Sequence, residues 1–192
     1  MARKGINRAL SDNWLLFENR RLLNDSEYKK NRTCIFISHK KEDANEAKEL
    51  ADYIIDSGID IYFDENNPTL NNPEKNTDPI IVTNEINKAL DRSTHMICVI
   101  SEKTKESWWV PYEIGYAWNN NGFTNNNMAI LLIKSINKLP EYLFLTEKID
   151  SITRLKSYLK KVSNMTQLLN EDNSFKSFNE FLYHPLNKIL KP

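Results

Sequence analysis

The sequence predicts an α/β fold, with a flavodoxin-like parallel sheet of strand order about 2-1-3-4-5 and helices on both faces. Within residues 32–135, short apolar runs rich in β-branched residues alternate with stretches whose apolar residues repeat at helical spacing. Glycine and Asp-Pro signals mark where helices end and begin. Such alternation predicts parallel strands that are covered by helices.

Five segments are the predicted strands. The first four are apolar runs at residues 34–38, 59–64, 96–101 and 128–133. The fifth is a weaker signal, and either residues 142–145 or residues 148–149 could supply it. A short apolar run between turn signals is typical of a strand buried in a sheet.

Three helices are predicted between these strands. The first covers residues 44–57 and ends at Gly58, a typical helix C-terminal glycine. The second begins at Asp78 and Pro79, after a long polar loop at residues 65–78, and its apolar face includes Val82 and Ile86. The third helix carries Glu113.

The two ends of the chain are predicted to be helical additions to a central domain at residues 32–150. Residues 1–31 form an N-terminal helical extension, interpreted as a helix packed on the domain, with a partner-binding arm as the alternative. Residues 151–192 form C-terminal helices packed on the same domain. The periodic residues behind these predictions are Leu10, Trp14, Phe17 and Arg21, then Ile152, Leu155, Tyr158, Leu159 and Val162, and finally Phe175, Phe178, Phe181 and Leu182.

Composition excludes several classes of function. The 192 residues carry 26 basic and 26 acidic side chains, so charge gives no argument for nucleic-acid or membrane partners. We find no apolar run that could span a bilayer and no signal peptide before the first strand. Cys34 and Cys98 lie in apolar runs, which favours buried thiols in a reducing cytoplasm. The three histidines are scattered, so no metal site is expected.

Residues 108–118 are the most informative stretch. They place one carboxylate, Glu113, among five aromatic residues near the start of a predicted helix. Burying an unpaired charge is costly, which suggests that the carboxylate has a use. The simpler interpretation is that Glu113 only complements the helix dipole. If Trp109 already lies in the helix, it shares a face with Glu113 four residues later.

The predicted strand order places a crevice outside the carboxyl ends of the first and third strands. Backbone N–H groups, a helix N-terminus and two lysines after the first strand would suit a phosphate or pyrophosphate. Taken singly, these residues could merely end strands or form a solvated loop, but their convergence on one crevice favours a site. The candidate binding residues are Ser38, His39, Lys40, Lys41, Asp64, Ser101 and Trp109, with Glu113 as the candidate catalytic residue.

Three segments together resemble the Toll/interleukin-1 receptor (TIR) domain family. Residues 34–39, with Asp43 shortly after, resemble its first conserved box, and residues 58–64 resemble the strand that leads into its BB loop. Residues 107–113 resemble the helix with the family's catalytic glutamate, preceded by a tryptophan four residues earlier. The resemblance covers roughly residues 32–150. Within the family, the chain resembles the standalone NAD-processing subunits of Thoeris-type anti-phage systems.

The resemblance implies an enzyme that cleaves the nicotinamide–ribose bond of NAD, which is a substrate and not a cofactor. Glu113 would be the catalytic acid, Trp109 would pack against nicotinamide or ribose, and Lys40 with the backbone of residues 38–39 would face the phosphates. The product would be a cyclic or otherwise modified ADP-ribose signal. The implied partners are further copies of the chain through TIR–TIR contacts, a phage-derived trigger and a separate effector protein.

This chain departs from the family pattern at two places. It has His39 where family members often have an aromatic residue, and its BB loop is long and lacks the usual glycine. Two alternative functions stay open, a TIR scaffold without catalysis and a nucleoside deoxyribosyltransferase-like enzyme. A pure scaffold has no need of Glu113 with Trp109. A response-regulator receiver is excluded, because Ser101 stands where the phosphoacceptor aspartate would be.

Overall fold

A computed structural model describes residues 4–10, 33–67, 70, 78–120, 122–124, 126–133, 136, 138–163 and 184–192. Within these ranges, the sheet contains β1 (Cys34–Ser38), β2 (Asp60–Tyr62), β3 (His95–Ile100), β4 (Met128–Leu132) and β5 (Glu147–Ile149). All neighbouring strands pair in parallel, in the order β2-β1-β3-β4-β5. The predicted fold class and strand order are therefore confirmed.

The second and fifth strands differ most from their predictions, whereas β3 and β4 differ by a single residue at their ends. The second is shorter than residues 59–64, because the chain leaves the sheet after Tyr62 and forms a 3-10 turn at Asp64–Asn66. The fifth strand is Glu147–Ile149, and the competing segment is a 3-10 turn at Glu141–Leu145. Among the described strands, β5 pairs with β4 alone and lies at the edge of the sheet, where polar residues are tolerated and the apolar signal is weak.

The helices begin and end close to where the sequence signals place them. They are α1 (Ala44–Asp56), α2 (Pro79–Asp91), α3 (Trp109–Asn120) and α4 (Ile152–Ser163). Gly58 has a φ of 83°, a left-handed conformation that favours glycine after a helix. The Asp78 side chain accepts a hydrogen bond of 2.8 Å from the Ile80 amide and so caps α2.

Apolar cores cover both faces of the sheet. Ile35 and Ile37 of β1 belong to the core beneath α1 and α4, whereas Phe36 belongs to the core beneath α2 and α3. This alternation follows from the two-residue repeat of a strand. Cys34 and Cys98 are buried free thiols, as the sequence predicts. None of the helices in the described ranges is long and apolar enough to cross a membrane.

The described terminal segments both contact the central fold. Asn7 forms a parallel bridge with Ile61, and residues Arg8–Leu10 form a 3-10 turn. Trp14, Phe17 and Arg21 of the predicted N-terminal helix lie outside the described residues, as does the predicted stripe Phe175, Phe178, Phe181 and Leu182. Leu186, Ile189 and Leu190 are buried in the same core as α4. The domain limits at residues 31 and 150 stay predictions.

Candidate active site

A cleft of about 250 Å³ lies beyond the carboxyl ends of β1 and β2, between the α2 and α3 sides of the fold. The strand order predicts a crevice at this carboxyl edge of the sheet, but between the first and third strands, whereas the residues that line the cleft directly after strands follow β1 and β2. Its lining consists of His39, Lys41, Asp64, Glu65, Leu70, Val82, Ile86, Trp109 and Glu113. Five of the eight residues proposed from the sequence therefore line one cleft.

Glu113 forms the buried part of this cleft. Its side chain lies on the inner face of α3, and the residue is only 4% exposed. The hydroxyl of Ser38, the last residue of β1, donates a 2.5 Å hydrogen bond to Glu113 Oε2. Burial, with the nearby charge of Asp64, raises the pKa of Glu113 well above its usual range, and the Ser38 hydrogen bond opposes that rise.

His39, Asp64 and Glu65 form a second polar group beside Glu113. The His39 side chain is 2% exposed, with Nδ1 3.6 Å from Asp64 Oδ1 and Nε2 3.5 Å from Glu65 Oε1. These distances exceed hydrogen-bonding range, and neither ring nitrogen has a hydrogen-bond partner among the described residues. Burial and the Glu65 charge raise the pKa of Asp64, while the His39 ring opposes that rise.

Trp109 is the first residue of α3, so it shares a helix face with Glu113 as the sequence suggests. Pro111 lies in the first turn, where a proline removes no helical hydrogen bond. The indole is 40% exposed and packs edge-on against Tyr112, with ring centroids 5.7 Å apart. A broad aromatic surface therefore stands at the cleft, next to the buried carboxylate.

The two neighbouring lysines point to different places. Lys41 lines the cleft, where a cation could meet an anionic group of a ligand. Lys40 lies outside the lining, because its Nζ atom is 3.0 Å from Glu106 Oε2 and 3.3 Å from Glu42 Oε1. Of the two lysines, the structure thus brings Lys41, but not Lys40, to the cleft.

Ser101 also lies outside the cleft lining. Its hydroxyl donates a 2.6 Å hydrogen bond to Asp43 Oδ2 and accepts one of 3.1 Å from the Lys103 amide. Ser101 also forms a capping box with Thr104 at the 3-10 turn Glu102–Glu106. Its contacts are those of a structural residue that joins the end of β3 to the start of α1.

Sequence reasoning missed four residues of the lining: Glu65, Leu70, Val82 and Ile86. Val82 and Ile86 do stand out in the sequence as the apolar face of α2, a pattern that is typical of a helix packed on the core. Glu65 and Leu70 lie in the polar loop and carry no periodic signal. Within the described ranges, no group of three or more His, Cys, Asp or Glu side chains is suited to hold a metal ion.

The charge of the lining indicates its chemistry. Three carboxylates, from Asp64, Glu65 and Glu113, stand against one lysine ammonium at Lys41. A cleft of this kind suits a ligand with a cationic part near the carboxylates and an anionic part near the lysine. Buried Glu113 is placed to stabilise positive charge that develops on a bound molecule.

Comparison with known proteins agrees with this architecture. Residues 35–161, more than half of the 192-residue chain, match the TIR domain family. The matched region runs from β1 into α4 and contains every residue of the cleft lining. No curated protein matches the chain. On the strength of the family match and the five-stranded parallel sheet, the chain belongs to the TIR domain family.

Proposed function

We propose that this protein is an enzyme that cleaves the nicotinamide–ribose bond of NAD. The observation that carries the proposal is the buried carboxylate of Glu113, held by the Ser38 hydroxyl in an acidic cleft beside Trp109. TIR domains can be NAD-cleaving enzymes, and a buried carboxylate in one cleft with an aromatic side chain supports the same activity for this chain.

The charge of the substrate fits the charge of the cleft. The nicotinamide ring of NAD carries a positive charge while it is bonded to the ribose. When that bond breaks, its electron pair goes to the ring nitrogen, nicotinamide leaves as a neutral molecule, and positive charge develops on the anomeric carbon. Carboxylates in a poorly solvated site stabilise such an oxocarbenium-like state. Glu113 would face the anomeric carbon, and Asp64 with Glu65 would face the ring.

The raised pKa of Glu113 gives this scheme a pH dependence. The carboxyl group must be ionised to stabilise positive charge, yet burial favours its neutral form in the empty cleft. A bound cationic ring favours the carboxylate, so substrate lowers the pKa of Glu113. We therefore expect kcat/KM, which reports the free enzyme, to rise with pH through a higher pKa than kcat does.

Further groups would complete the reaction. Trp109 would pack against nicotinamide or ribose, and Lys41 would meet the diphosphate. Attack of water on the anomeric carbon, with loss of a proton, gives ADP-ribose, and attack by a hydroxyl or adenine nitrogen of the same molecule gives a cyclic product. We propose a cyclic or otherwise modified ADP-ribose signal, which rests on the resemblance to Thoeris-type subunits.

Self-association is the second part of the proposal. TIR domains self-associate, and the cleft of about 250 Å³ is small beside the roughly 300–1,000 Å³ of typical ligand pockets. A dinucleotide would extend beyond it, and a neighbouring copy of the chain would enclose the rest. We accordingly propose that specific activity rises with protein concentration.

We also propose that a phage-derived trigger and a separate effector act with this protein in the cytoplasm.

A catalytically inactive scaffold is the principal alternative. The exposed aromatic surface supports it, since Trp108 is 92% exposed and Phe144 59% exposed. A deoxyribosyltransferase-like enzyme is less well supported, because neutral nucleosides gain little from three carboxylates in the cleft. NAD turnover separates the first alternative from the proposal, and a nucleoside substrate separates the second.

The experiment is incubation of the concentrated protein with NAD, followed by chromatography and mass spectrometry of the products. We expect nicotinamide and an ADP-ribose derivative from the wild-type protein, and a loss of at least roughly 100- to 1,000-fold in kcat for Glu113→Gln. Exchange of a deoxynucleoside base without NAD turnover would establish the transferase alternative. Absence of NAD turnover and of base exchange at every protein concentration would favour the catalytically inactive scaffold.

A further inference from the structure

The N-terminal segment at residues 4–10 lies outside the region that matches the TIR family, yet it packs on the sheet next to the cleft. The Ile61 amide donates a 2.9 Å hydrogen bond to the Ile6 carbonyl, and the Gly5 amide donates one of 2.8 Å to the Ile55 carbonyl. A Cβ atom on Gly5 would lie 1.9 Å from the Ile59 carbonyl oxygen, so the backbones approach closely. The segment is therefore fixed against the edge strand β2.

Arg8 strengthens this attachment. Its guanidinium forms an ion pair of 3.0 Å with Asp60 Oδ2, and both side chains are largely buried, at 9% and 3% exposed. Asp60 Oδ1 also accepts a 3.2 Å hydrogen bond from the Ile6 amide. A paired and hydrogen-bonded carboxylate of this kind fixes the register of the segment on β2.

Asn7 extends the attachment to the turn that carries two cleft residues. It is 8% exposed, and its Oδ1 atom accepts a 3.2 Å hydrogen bond from the Phe63 amide. Its Nδ2 group donates a 3.0 Å hydrogen bond to Asn66 Oδ1. Phe63 and Asn66 are the residues immediately before and after Asp64 and Glu65, so one side chain holds the turn from both sides.

The turn Asp64–Asn66 determines where the acidic wall of the cleft stands. Asp64 and Glu65 line the cleft and face the buried His39 ring at 3.6 and 3.5 Å. A three-residue 3-10 turn has few hydrogen bonds of its own. Here the Asn67 amide donates one of 2.7 Å to the Asp64 carbonyl, and the Asn66 amide donates a longer one of 3.2 Å to the Phe63 carbonyl. Contacts from outside the turn are therefore needed to fix the two carboxylates.

We propose that Asn7 is a positioning residue for the cleft, holding the Asp64–Asn66 turn so that both carboxylates face the cationic ring of the substrate. The substrate part of this inference rests on the proposed function. The positioning part does not, because it concerns the turn in the free protein. The N-terminal segment thereby becomes a component of the site, although it precedes the family's matched region.

The first test measures amide hydrogen exchange in the free protein. Asn7→Ala removes both hydrogen bonds to the turn, and we expect the Phe63 amide to exchange at least about fivefold faster, as loss of one hydrogen bond predicts. Asn7→Asp keeps the acceptor for that amide and should retain its protection. Lys4→Ala is the matched control, since it breaks only the exposed Lys4–Asp56 ion pair of the same segment.

The second test measures NAD turnover by the same variants. Asp64 and Glu65 would face a charge that the ring already carries before the bond breaks. Asn7→Ala should therefore raise KM roughly tenfold and leave kcat largely unchanged, whereas Glu113→Gln lowers kcat. A structural defect alone would lower the folded fraction and leave KM unchanged. Lys4→Ala should keep both constants.

The hydrogen-exchange and turnover experiments together distinguish failure of the Asn7 proposal from failure of the proposed function. If the wild-type protein does not turn over NAD, the proposed function fails. Amide hydrogen exchange of Phe63 then decides by itself whether Asn7 positions the turn. Wild-type protection of the Phe63 amide in folded Asn7→Ala protein would overturn the proposal. An unchanged KM, in a protein whose wild-type form turns over NAD, would also overturn it.

Discussion

Two serines at the carboxyl ends of neighbouring strands make the same contact in different surroundings. Ser38 ends β1 and donates a 2.5 Å hydrogen bond to the buried carboxylate of Glu113. Ser101 directly follows β3 and donates a 2.6 Å hydrogen bond to the buried carboxylate of Asp43. Judged by this hydrogen bond and by burial alone, the two pairs are nearly equivalent.

The difference lies in what else each carboxylate contacts. Asp43 also has the Lys103 ammonium 3.3 Å from Oδ1, and its serine caps a turn through the Lys103 amide. Glu113 has the opposite surroundings: Asp64 adds a like charge, and no cation of the described residues forms an ion pair with it. A paired buried carboxylate joins structural elements, whereas an unpaired one in a cleft indicates chemistry.

Among the serine and lysine variants, replacing Ser38 should have the largest effect on turnover. Ser38→Ala removes the hydrogen bond that stabilises ionised Glu113, worth about 1.5–3 kcal/mol for a charged acceptor, or roughly 10- to 100-fold in rate. The pKa of Glu113 should rise further, so the increase of kcat/KM with pH should move to higher pH. The ionisable groups around Glu113 in the described structure include the Asp64 carboxyl and the Cys98 thiol, and His39, Lys41 and Glu65 line the same cleft. An unaltered pH profile in the variant would contradict this role.

The adjacent lysines extend the comparison to cations. Lys41→Ala should raise KM for NAD roughly tenfold, the loss of one charge-assisted contact, with kcat largely retained. Lys40→Ala is the matched control, because its ammonium is already paired with Glu42 and Glu106 outside the lining. Steady-state kinetics with NAD measure KM and kcat for both variants. Equal changes in KM would contradict the conclusion that Lys41, and not Lys40, contacts the substrate.

The second serine should affect stability and leave turnover unchanged. Ser101→Ala leaves the buried Asp43 carboxylate without its hydroxyl donor, at an expected loss of about 1–3 kcal/mol in the free energy of unfolding. Activity per folded molecule should match the wild type, since Ser101 does not line the cleft. Denaturant unfolding and turnover at a temperature well below the transition measure the two quantities. A large fall in kcat with an unchanged free energy of unfolding would contradict the structural role of Ser101.

The strand order and the catalytic candidate could be predicted because their signals are local. Apolar runs of four to six residues and well-placed helix caps determine most elements, and Glu113 stands out as one acid among aromatic residues. The two serines could not be distinguished in this way. Both simply end apolar strands in the sequence, and only the packing of α1 and α3 decides which carboxylate each meets.

The direction of individual side chains and the contacts between distant residues could not be predicted either, because no local sequence pattern reports them. Lys40 and Lys41 separate because the chain enters a 3-10 turn at Lys41–Asp43, which sends consecutive side chains to different sides. Asn7 lies more than fifty residues from the turn it contacts, so no local pattern reveals it. The fifth strand is at the sheet edge, and Glu147 and Lys148 weaken its apolar signal.

The Glu113→Gln protein gives the most direct test, because turnover and stability should change in opposite directions. The pKa of Glu113 is higher in the folded protein than its value of about 4.3 in an unfolded chain. The folded state then binds more protons, and stability is lost as pH rises from about 4.3 through the folded pKa. Gln cannot ionise, so the variant should melt above the wild type at pH 7, with the difference disappearing near pH 4.

We therefore expect a Glu113→Gln protein that is more stable than the wild type at pH 7 and releases no measurable nicotinamide from NAD. A shift of 1 kcal/mol corresponds to about 2–4 °C in a domain of this size, which a thermal melt resolves. The measurement is nicotinamide release by this variant at the highest attainable protein concentration, on material whose melt confirms the fold. Wild-type release from the folded variant would contradict the central claim.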